Sequence, residues 1–374
     1  MNEISFFKQL IYKLDPVERD QFLQIQAKIM KWSDNIFATT AKSINKSHVV
    51  CMVPGCTKNT QNYCHLLQRN GILSNISNKN HLIQLSIRDV YMWNSTNKEA
   101  LPPLEFKKIG VGNAFTGKLF CDTHDTELFK NLETNALDFD NYETQLLFTY
   151  RSICYELRES ENNIQAYEKR VKAYEELIKC IQNEPISSRV LLLATHFLNT
   201  SIHSETLARS NTTNKIAADE KLKLLFENEI NSLTCTFEFI HIETNLMEIA
   251  ASSVFSTELY KTKQDKNNPI FIQIIPYNNK SHIIIGYHKD CCDYWMKSYL
   301  LKWSSFSSLE IEQECSRLLL TQFTTWCMSP KLYERFNSID QEQLLKYHLQ
   351  YFSNEMKRIT IEDWDKIKFN MFSR

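Results

Sequence analysis

Glycine and proline are scarce in this chain. Its 374 residues include 6 Gly and 8 Pro, which excludes a collagen-like or linker-rich chain and disfavours an all-β protein with many tight turns. Long apolar runs are also missing. The longest, Val190–Ala194 and Ile270–Tyr277, fall far short of the roughly 20 residues that a membrane-spanning helix needs. The sequence therefore predicts no membrane partner.

The chain has no excess of charge of either sign. Its formal net charge is -1, so any binding of nucleic acid must come from a local basic patch. Hydrophobic residues make up 43% of the sequence, which is enough to bury a large core.

Cysteine, in contrast, is plentiful. The 11 cysteines are odd in number and scattered, and Met1–Pro16 carries no secretion signal. These features favour a reducing compartment rather than a disulfide framework. We therefore predict a cytoplasmic protein whose cysteines are buried or ligate metal.

The positions of the glycines divide the chain. Five of the six lie between Gly55 and Gly117, which predicts irregular backbone there and regular elements elsewhere. We predict an α+β protein of three domains: N-terminal helices plus a treble-clef-like zinc unit over 1–135, a helical connector over 136–230, and an antiparallel sheet packed with helices over 231–374. In the connector, the predicted elements are helices at Ser188–Thr200 and Lys215–Glu229, joined by a loop or helix end at Ser201–Asn214.

Further elements are predicted at the two ends of the chain. Asp15-Pro16 should break and restart a helix, because Pro suits a first-turn position. In the C-terminal region we predict a hairpin that turns at Asn278-Asn279-Lys280, and helices at Leu309–Trp326 and Ile361–Phe372.

Apolar residues recur at steps of three and four between residues 157 and 181. This heptad-like stripe predicts a long helix. It can pair with a protein partner or a second copy of the chain. More often such a stripe packs inside its own subunit, and we favour that interpretation.

Two short motifs have the spacing of metal ligands. Cys51 and Cys56 flank a turn that contains Pro and Gly, and Cys121 stands three residues before His124. Two such pairs supply the four soft or borderline ligands that tetrahedral zinc prefers. The sequence therefore predicts a structural zinc ion. Two alternatives remain: these are ordinary buried cysteines, or Cys64 or His65 replaces one ligand.

Three residues near these motifs suggest catalysis. In His-Asn-His (HNH) nucleases a His polarises water, an Asn orients it, and a final His or Asp holds a catalytic divalent ion such as Mg²⁺. His65, Asn113 and Asp125 are the candidates for these roles. Each also has a structural interpretation: His65 as a core histidine or zinc ligand, Asn113 as a turn residue, and Asp125 as a first-turn helix residue.

The same region resembles a known family. The residues that carry the resemblance are the Cys51/Cys56 pair, His65-Leu-Leu-Gln-Arg69, Phe115–Phe129 and Phe148–Glu156. Together they resemble a bacterial family of zinc-finger, HNH-like proteins associated with antiphage defence of the abortive-infection type. The resemblance covers about residues 48–160. It implies a zinc-bearing HNH-like unit, with Asp125 standing where such enzymes usually have their second His.

The segment 58–118 is locally basic. It contains eight Lys or Arg against three Asp or Glu, a net charge of +5. Aromatic residues such as Tyr63 and Phe115 are interleaved and can stack on bases. The segment therefore predicts contact with nucleic acid, although a solvated basic face over core aromatics explains it equally well.

The C-terminal region has histidines on predicted neighbouring strands. His241 and His282 can approach each other there, but no metal-ligand spacing emerges. Our leading hypothesis is a defence-type effector or sensor that contacts nucleic acid through its zinc unit, with nuclease activity as its enzymatic version. The alternative is a non-catalytic interaction protein, in which the zinc is purely structural and the C-terminal domain binds a protein partner.

Overall fold

The structure, a computed structural model, combines helices with an antiparallel sheet. It describes residues 11–47, 49–60, 63–87, 104–133, 136–256, 269–291, 294–323, 325–352 and 367–372. The helices are α1 Pro16–Lys46, α2 Asp122–Leu128, α3 Tyr142–Ile181, α4 Ser188–Ser232, α5 Tyr294–Trp303, α6 Ser308–Thr321, α7 Pro330–Arg335 and α8 Ser338–Phe352. The strands are β1 Cys64–His65, β2 His81–Ile87, β3 Leu104–Gly110, β4 Thr116–Gly117, β5 Phe237–Asn245, β6 Ile249–Ser256, β7 Pro269–Tyr277, β8 Lys280–His288 and β9 Thr325–Met328.

The chain forms two compact units that interleave along the sequence. Of the described residues, those within 11–47 and 159–217 form one unit, and those within 49–87, 104–158 and 218–372 form the other. The predicted domains, by contrast, follow one another at 135/136 and 230/231. The long helices α3 and α4 each begin in one unit and end in the other, and the predicted division into three domains stays a prediction.

The smaller unit is a bundle of helices. Its core contains Tyr174 and Ile181 of α3, Val190 and Leu198 of α4, and Ile29 of α1. The apolar stripe of α3 thus packs inside its own chain at these positions, which is the interpretation favoured from the sequence. Pairing with a second chain through 157–181 stays a prediction.

The start of α1 follows directly from its sequence. The Asp15 carboxylate accepts a hydrogen bond from the backbone N–H of Glu18 at 2.8 Å, and the Glu18 side chain accepts one from the N–H of Asp15. Pro16 stands at the first helical position, where its missing N–H costs nothing. This break at Asp15-Pro16 agrees with the sequence-based expectation.

The predicted loop at Ser201–Asn214 is wrong, because α4 runs unbroken from Ser188 to Ser232. Serine and threonine hydroxyls in this stretch donate back to the carbonyl four residues earlier, as Ser204 does to Thr200 and Thr213 to Arg209. Such hydroxyls have their hydrogen-bonding capacity met inside the helix. A polar composition therefore did not interrupt it.

A seven-stranded antiparallel sheet forms the centre of the larger unit, in the order β3-β2-β9-β6-β7-β8-β5. The β7–β8 hairpin turns at Asn278 and Asn279, whose φ angles are +48° and +60°, as expected for asparagine in a two-residue turn. Strand β9 was missed, since a helix was predicted through Trp326. That helix, α6, ends at Thr321, and the following strand joins β2 to β6.

Helices cover both faces of this sheet. One face packs against α5, α6 and α8, with Trp303, Leu318 and Leu344 in the shared core. On the other face, Phe226 of α4 stacks on Phe237 at 4.1 Å, and Ser152 of α3 is hydrogen-bonded to Ser252. Because β2 and β3 belong to this sheet, these two strands lie beside the C-terminal strands.

The C-terminal helix predicted at Ile361–Phe372 is not present over the part that the structure describes. Residues 367–372 have no helical backbone there, and Ile367, Phe369 and Met371 are instead buried in the sheet core. Alternate burial of this kind suits an extended segment. No described helix combines the length and the apolar character needed to cross a bilayer.

Candidate metal centre

The first pair of candidate ligands lies at the tip of a short hairpin. Val50 and Asn59 form an antiparallel bridge, and the N–H of Cys51 donates to the carbonyl of Lys58 at 3.0 Å. Gly55 has a φ of +73°, a conformation that favours glycine. The turn therefore brings the thiols of Cys51 and Cys56 to the same side.

The second pair opens a helix. Cys121 is the N-cap residue of α2, and His124 lies in its first turn. The N–H of Met52 donates to the carbonyl of Leu119 at 2.9 Å, which holds the hairpin against the chain that leads into α2. One turn of helix separates Cys121 from His124, so both side chains reach the same point.

The four side chains converge. The Nδ1 atom of His124 lies 3.3 Å from the Sγ of Cys51 and 3.4 Å from the Sγ of Cys121. The Sγ atoms of Cys56 and Cys121 lie 4.0 Å apart, and all four ligand atoms are within 4.8 Å of one another. The predicted Cys51, Cys56, Cys121 and His124 therefore form a cluster that can bind a metal.

These distances fit zinc. Tetrahedral bonds of about 2.3 Å to sulfur and about 2.0 Å to nitrogen place two sulfurs about 3.8 Å apart, and sulfur and nitrogen about 3.5 Å apart. The observed separations are close to both values. Three thiolates and one imidazole are a common donor set for structural zinc.

The backbone also supports thiolates at this point. Burial raises the pKa of the Cys51 thiol, and backbone N–H groups of Val53 and Cys121 act in the opposite direction. Burial alone would raise the pKa of Cys121 as well, but the N–H of His124 and the neighbouring thiols outweigh it, and its pKa is lowered. N–H groups aimed at ligand sulfurs are a usual second layer around a metal.

Cys64 does not belong to this cluster. Its buried Sγ lies 3.7 Å from the carbonyl oxygen of Phe120, and burial raises its pKa to about 11. A thiol with that pKa is protonated at neutral pH and is a poor metal ligand. The alternative in which Cys64 or His65 replaces one ligand is therefore not the arrangement found.

His65 lies on β1, where its Cα pairs with that of Thr116 on β4. Burial lowers its pKa, and a hydrogen bond to the carbonyl of Val111 partly offsets this. Within the described ranges, its buried Nε2 atom has no hydrogen-bond partner. The ring is therefore a neutral imidazole held by the backbone.

Asn113 and Asp125 have different surroundings. Asn113 ends a short 3-10 turn and is exposed. Asp125, in the first turn of α2, is ion-paired with Arg151 of α3 at 3.3 Å. No second group of three or more metal-ligating side chains occurs among the described residues, and the roles of His65, Asn113 and Asp125 in catalysis stay a prediction.

Arg151 is the residue that sequence reasoning missed. The sequence predicts surface ion pairs for the charged residues around the apolar stripe of α3, Arg151 among them, yet Arg151 is 1% exposed and pairs with both Asp125 and Glu133. Arg158, two turns further along α3, donates to the carbonyl of Val50 at 2.7 Å. The seven-residue spacing that puts both arginines on one helix face was the available signal.

The basic segment is partly described. Lys58 donates to the hydroxyl of Thr123 at 3.2 Å, and the Nζ of Lys118 lies 5.6 Å from the ring centroid of Tyr63. Tyr63 is 51% exposed. Cationic and aromatic side chains thus stand together on the surface near the cluster. Tyr91 and Trp93, also interleaved in this segment, lie outside the described residues.

His241 and His282 do approach each other on β5 and β8. The Nε2 of His241 lies 3.0 Å from the Nδ1 of His282, and Asp140 contacts the other nitrogen of His241 at 2.8 Å. The ring centroids are 5.3 Å apart with planes inclined by 18°. This head-on geometry is that of an N–H···N hydrogen bond rather than a metal site.

Comparison with known proteins does not place the chain in a family. No protein-family model, no curated protein and no solved structure matches it.

Proposed function

We propose that the chain binds one structural zinc ion in a treble-clef arrangement, and that this zinc unit contacts nucleic acid without cleaving it. The observation that carries the proposal is the convergence of Cys51, Cys56, Cys121 and His124. Four protein ligands fill a tetrahedral site, whereas catalytic zinc keeps one position open for water or substrate. A hairpin pair followed by a pair that opens a helix supports the treble-clef assignment.

Nucleic-acid contact is supported by the charge of the surrounding surface. The described part of segment 58–118 contains six Lys or Arg, namely Lys58, Arg69, Lys79, Lys107, Lys108 and Lys118, against one acidic residue, Glu105. The exposed ring of Tyr63, which lies beside Lys118, can stack on a base of the nucleic acid. Phosphate contacts of this kind carry binding that is independent of base sequence.

The non-catalytic version is favoured by the environment of Asp125. Its carboxylate is bound to a buried arginine, which competes with the binding of a divalent ion. His65 keeps its proton on the nitrogen that faces the Val111 carbonyl, and its other nitrogen is buried. A role in bacterial defence, which the family resemblance implies, is part of the same proposal.

The first test is metal content. Purified full-length protein should contain one zinc per chain by elemental analysis, and Cys121→Ser should lose it. Cys180→Ser is the matched control, because Cys180 is exposed and lies outside the cluster. Zinc below one tenth of the molar protein concentration, or equal zinc in both variants, would contradict the proposal.

The second test measures nucleic acid. A fluorescently labelled single strand should bind with an affinity that falls steeply with salt, and Lys58→Glu with Lys118→Glu should weaken binding. If the strand binds but is also cut in the presence of Mg²⁺, and His65→Ala keeps zinc yet abolishes cutting, the nuclease version replaces the non-catalytic one. Unchanged binding by the double variant would exclude this surface.

A further inference from the structure

A cavity of about 510 Å³ lies against the β2–β3 strand pair, apart from the metal ligands. Gln84 and Lys107 are directly opposite each other in this pair, so their side chains share one face of the sheet. Ile83, the neighbour of Gln84, is buried in the core on the other face. Gln84 and Lys107 therefore point away from that core, to the side where Thr116 and Tyr155 complete the cavity wall.

The cavity is cationic. Lys107 points into it beside Gln84, whereas Lys108 lies directly opposite Ile83, so its side chain is on the other face of the sheet. Among the described residues, no Asp or Glu lines the cavity. An ammonium group without a carboxylate beside it favours an anionic ligand, and phosphate is the anion that lysine commonly binds in proteins.

The cavity also contains an unused acceptor. The Oε1 atom of Gln84 is buried and has no hydrogen-bond partner among the residues that the structure describes. Leaving a buried carbonyl oxygen unpaired is unfavourable, so a ligand N–H or O–H at this point would be stabilising. At the rim, the exposed Asn113 offers a further carboxamide. The ligand thus needs an anionic group and, a few ångströms away, a hydrogen-bond donor.

We propose that this cavity binds a nucleotide, with its phosphate at Lys107 and a sugar hydroxyl or base N–H at Gln84. Its volume lies within the range of small-molecule sites, and a nucleotide combines the required anion and donors in one unit. The nucleotide is either free or one unit of a single strand. The second case rests on the proposed function, and the first does not.

The wall of the cavity is joined to the metal centre. Thr116 pairs with His65 through β4 and β1, and the N–H of Leu66 donates to the carbonyl of Phe115 at 2.7 Å. This small sheet lies between Cys56 and Cys121 in the chain. Removal of zinc should therefore weaken nucleotide binding as well, because the wall loses its anchor.

The test uses zinc-loaded full-length protein and calorimetric titration with adenosine 5′-monophosphate, adenosine and a short labelled oligothymidylate. The monophosphate should bind at least about tenfold more tightly than adenosine, the effect of one charge-assisted contact. Lys107→Gln and Gln84→Leu should each weaken it about tenfold. Lys297→Gln, which removes an exposed lysine of α5 outside the cavity, should leave binding unchanged.

The three ligands distinguish nucleotide binding in the cavity from the proposed contact of the zinc unit with nucleic acid. Monophosphate binding without oligonucleotide binding supports the cavity and overturns nucleic-acid contact. Oligonucleotide binding that is insensitive to Lys107→Gln, Gln84→Leu and competing monophosphate overturns the cavity and leaves the zinc unit's surface as the binding site. Equal binding of monophosphate by Lys107→Gln and Lys297→Gln, or no binding at millimolar ligand, overturns the cavity outright.

Discussion

The guanidinium group of Arg151 lies 3.3 Å from the carboxylate of Asp125, the residue directly after the metal ligand His124. It also lies 3.0 Å from Glu133 and 4.1 Å from the ring centroid of Phe129. A buried cation with two carboxylates and an aromatic ring around it fixes α2 and the following turn onto α3. The position of His124 therefore depends on a side chain of another helix.

Replacing Arg151 should weaken this attachment. Arg151→Met removes the buried cation and its hydrogen bonds to Asp125 and Glu133, whose carboxylates are 33% and 46% exposed and return to water. We therefore expect the free energy of unfolding in urea to fall by about 2 kcal/mol, the contribution of hydrogen bonds to charged groups. Arg335→Met is the control, since Arg335 is 49% exposed in its pair with Glu248 and such pairs contribute less than about 1 kcal/mol. Equal losses in the two variants would show that Arg151 acts as an ordinary surface charge.

Glu229 closes the end of α4. Its carboxylate is 1% exposed and accepts hydrogen bonds from the hydroxyls of Tyr142, Thr234 and Thr236 at 2.9, 2.8 and 2.6 Å. The backbone N–H groups of Cys235 and Thr236 also donate to it. Burial by itself would raise the pKa of Glu229, but these bonds outweigh it and lower the pKa to about 2.

The stability of the protein should therefore depend on the ionisation of Glu229. Because its folded pKa is below the ordinary value of 4.5, the folded state binds fewer protons between these values. The stabilisation is complete above about pH 4.5 and disappears as the pH falls through about 2. Glu229→Gln should cost about 3 kcal/mol at pH 7 and less at pH 3.

The matched control is Glu243→Gln, because Glu243 lies on β5 with a carboxylate that is 53% exposed. We expect it to change the free energy of unfolding by less than about 1 kcal/mol at either pH. A difference between wild type and Glu229→Gln that does not shrink on acidification would mean that the carboxylate is not the stabilising group.

The metal cluster could be predicted from sequence because its information is local. Cys51 and Cys56 flank one turn, and Cys121 and His124 share one helical turn, so each pair is fixed by spacing alone. Spacing does not show that the two pairs bind the same ion across the gap between Cys56 and Cys121, and only the types of ligand that they supply indicated it. The β7–β8 hairpin could likewise be predicted from the sequence, since asparagine tolerates the positive φ angle found at Asn278.

The features that were not predicted correctly depend on contacts with residues far away in the sequence. Strand β9 is four residues long and entirely buried, and its identity as a strand comes from pairing with β2 and β6. The sequence around Gly286 likewise does not explain why a glycine occupies this position in β8. A Cβ added there would meet the Phe239 ring on the adjacent strand. No local pattern reports such contacts.

The ring of His282 forms hydrogen bonds with two partners, one of which accepts the bond while the other donates it. Its ring donates to the carbonyl of Tyr277, and burial lowers its pKa. A neutral His282 with its proton on Nε2 accepts at Nδ1 the hydrogen bond from the Nε2 of His241, 3.0 Å away. The ring of His282 also stacks on Phe139 at 4.2 Å.

Burial lowers the pKa of His282, and the charge of His241 adds to this, while Glu243, the Tyr277 carbonyl and Asp140 act in the opposite direction. In the unfolded chain His282 titrates near its ordinary value, so the unfolded state takes up the proton first as the pH falls. Stability contributed by neutral His282 is therefore complete above about pH 7 and decreases as the pH falls toward its folded pKa.

We accordingly expect the wild-type free energy of unfolding to decrease between about pH 7.5 and about pH 5, and the decrease to be smaller in His282→Asn. Asparagine places an amide oxygen where Nδ1 stood, so the acceptor for His241 is kept while the titrating group is lost. His203→Asn, at an exposed position of α4, should follow the wild-type curve. Histidine nitrogen shifts at pH 7.5 should report a proton on Nε2 alone for His282. If His282 instead carried protons on both nitrogens at that pH, it would be the donor and His241 the acceptor, because two facing N–H groups cannot share the 3.0 Å contact.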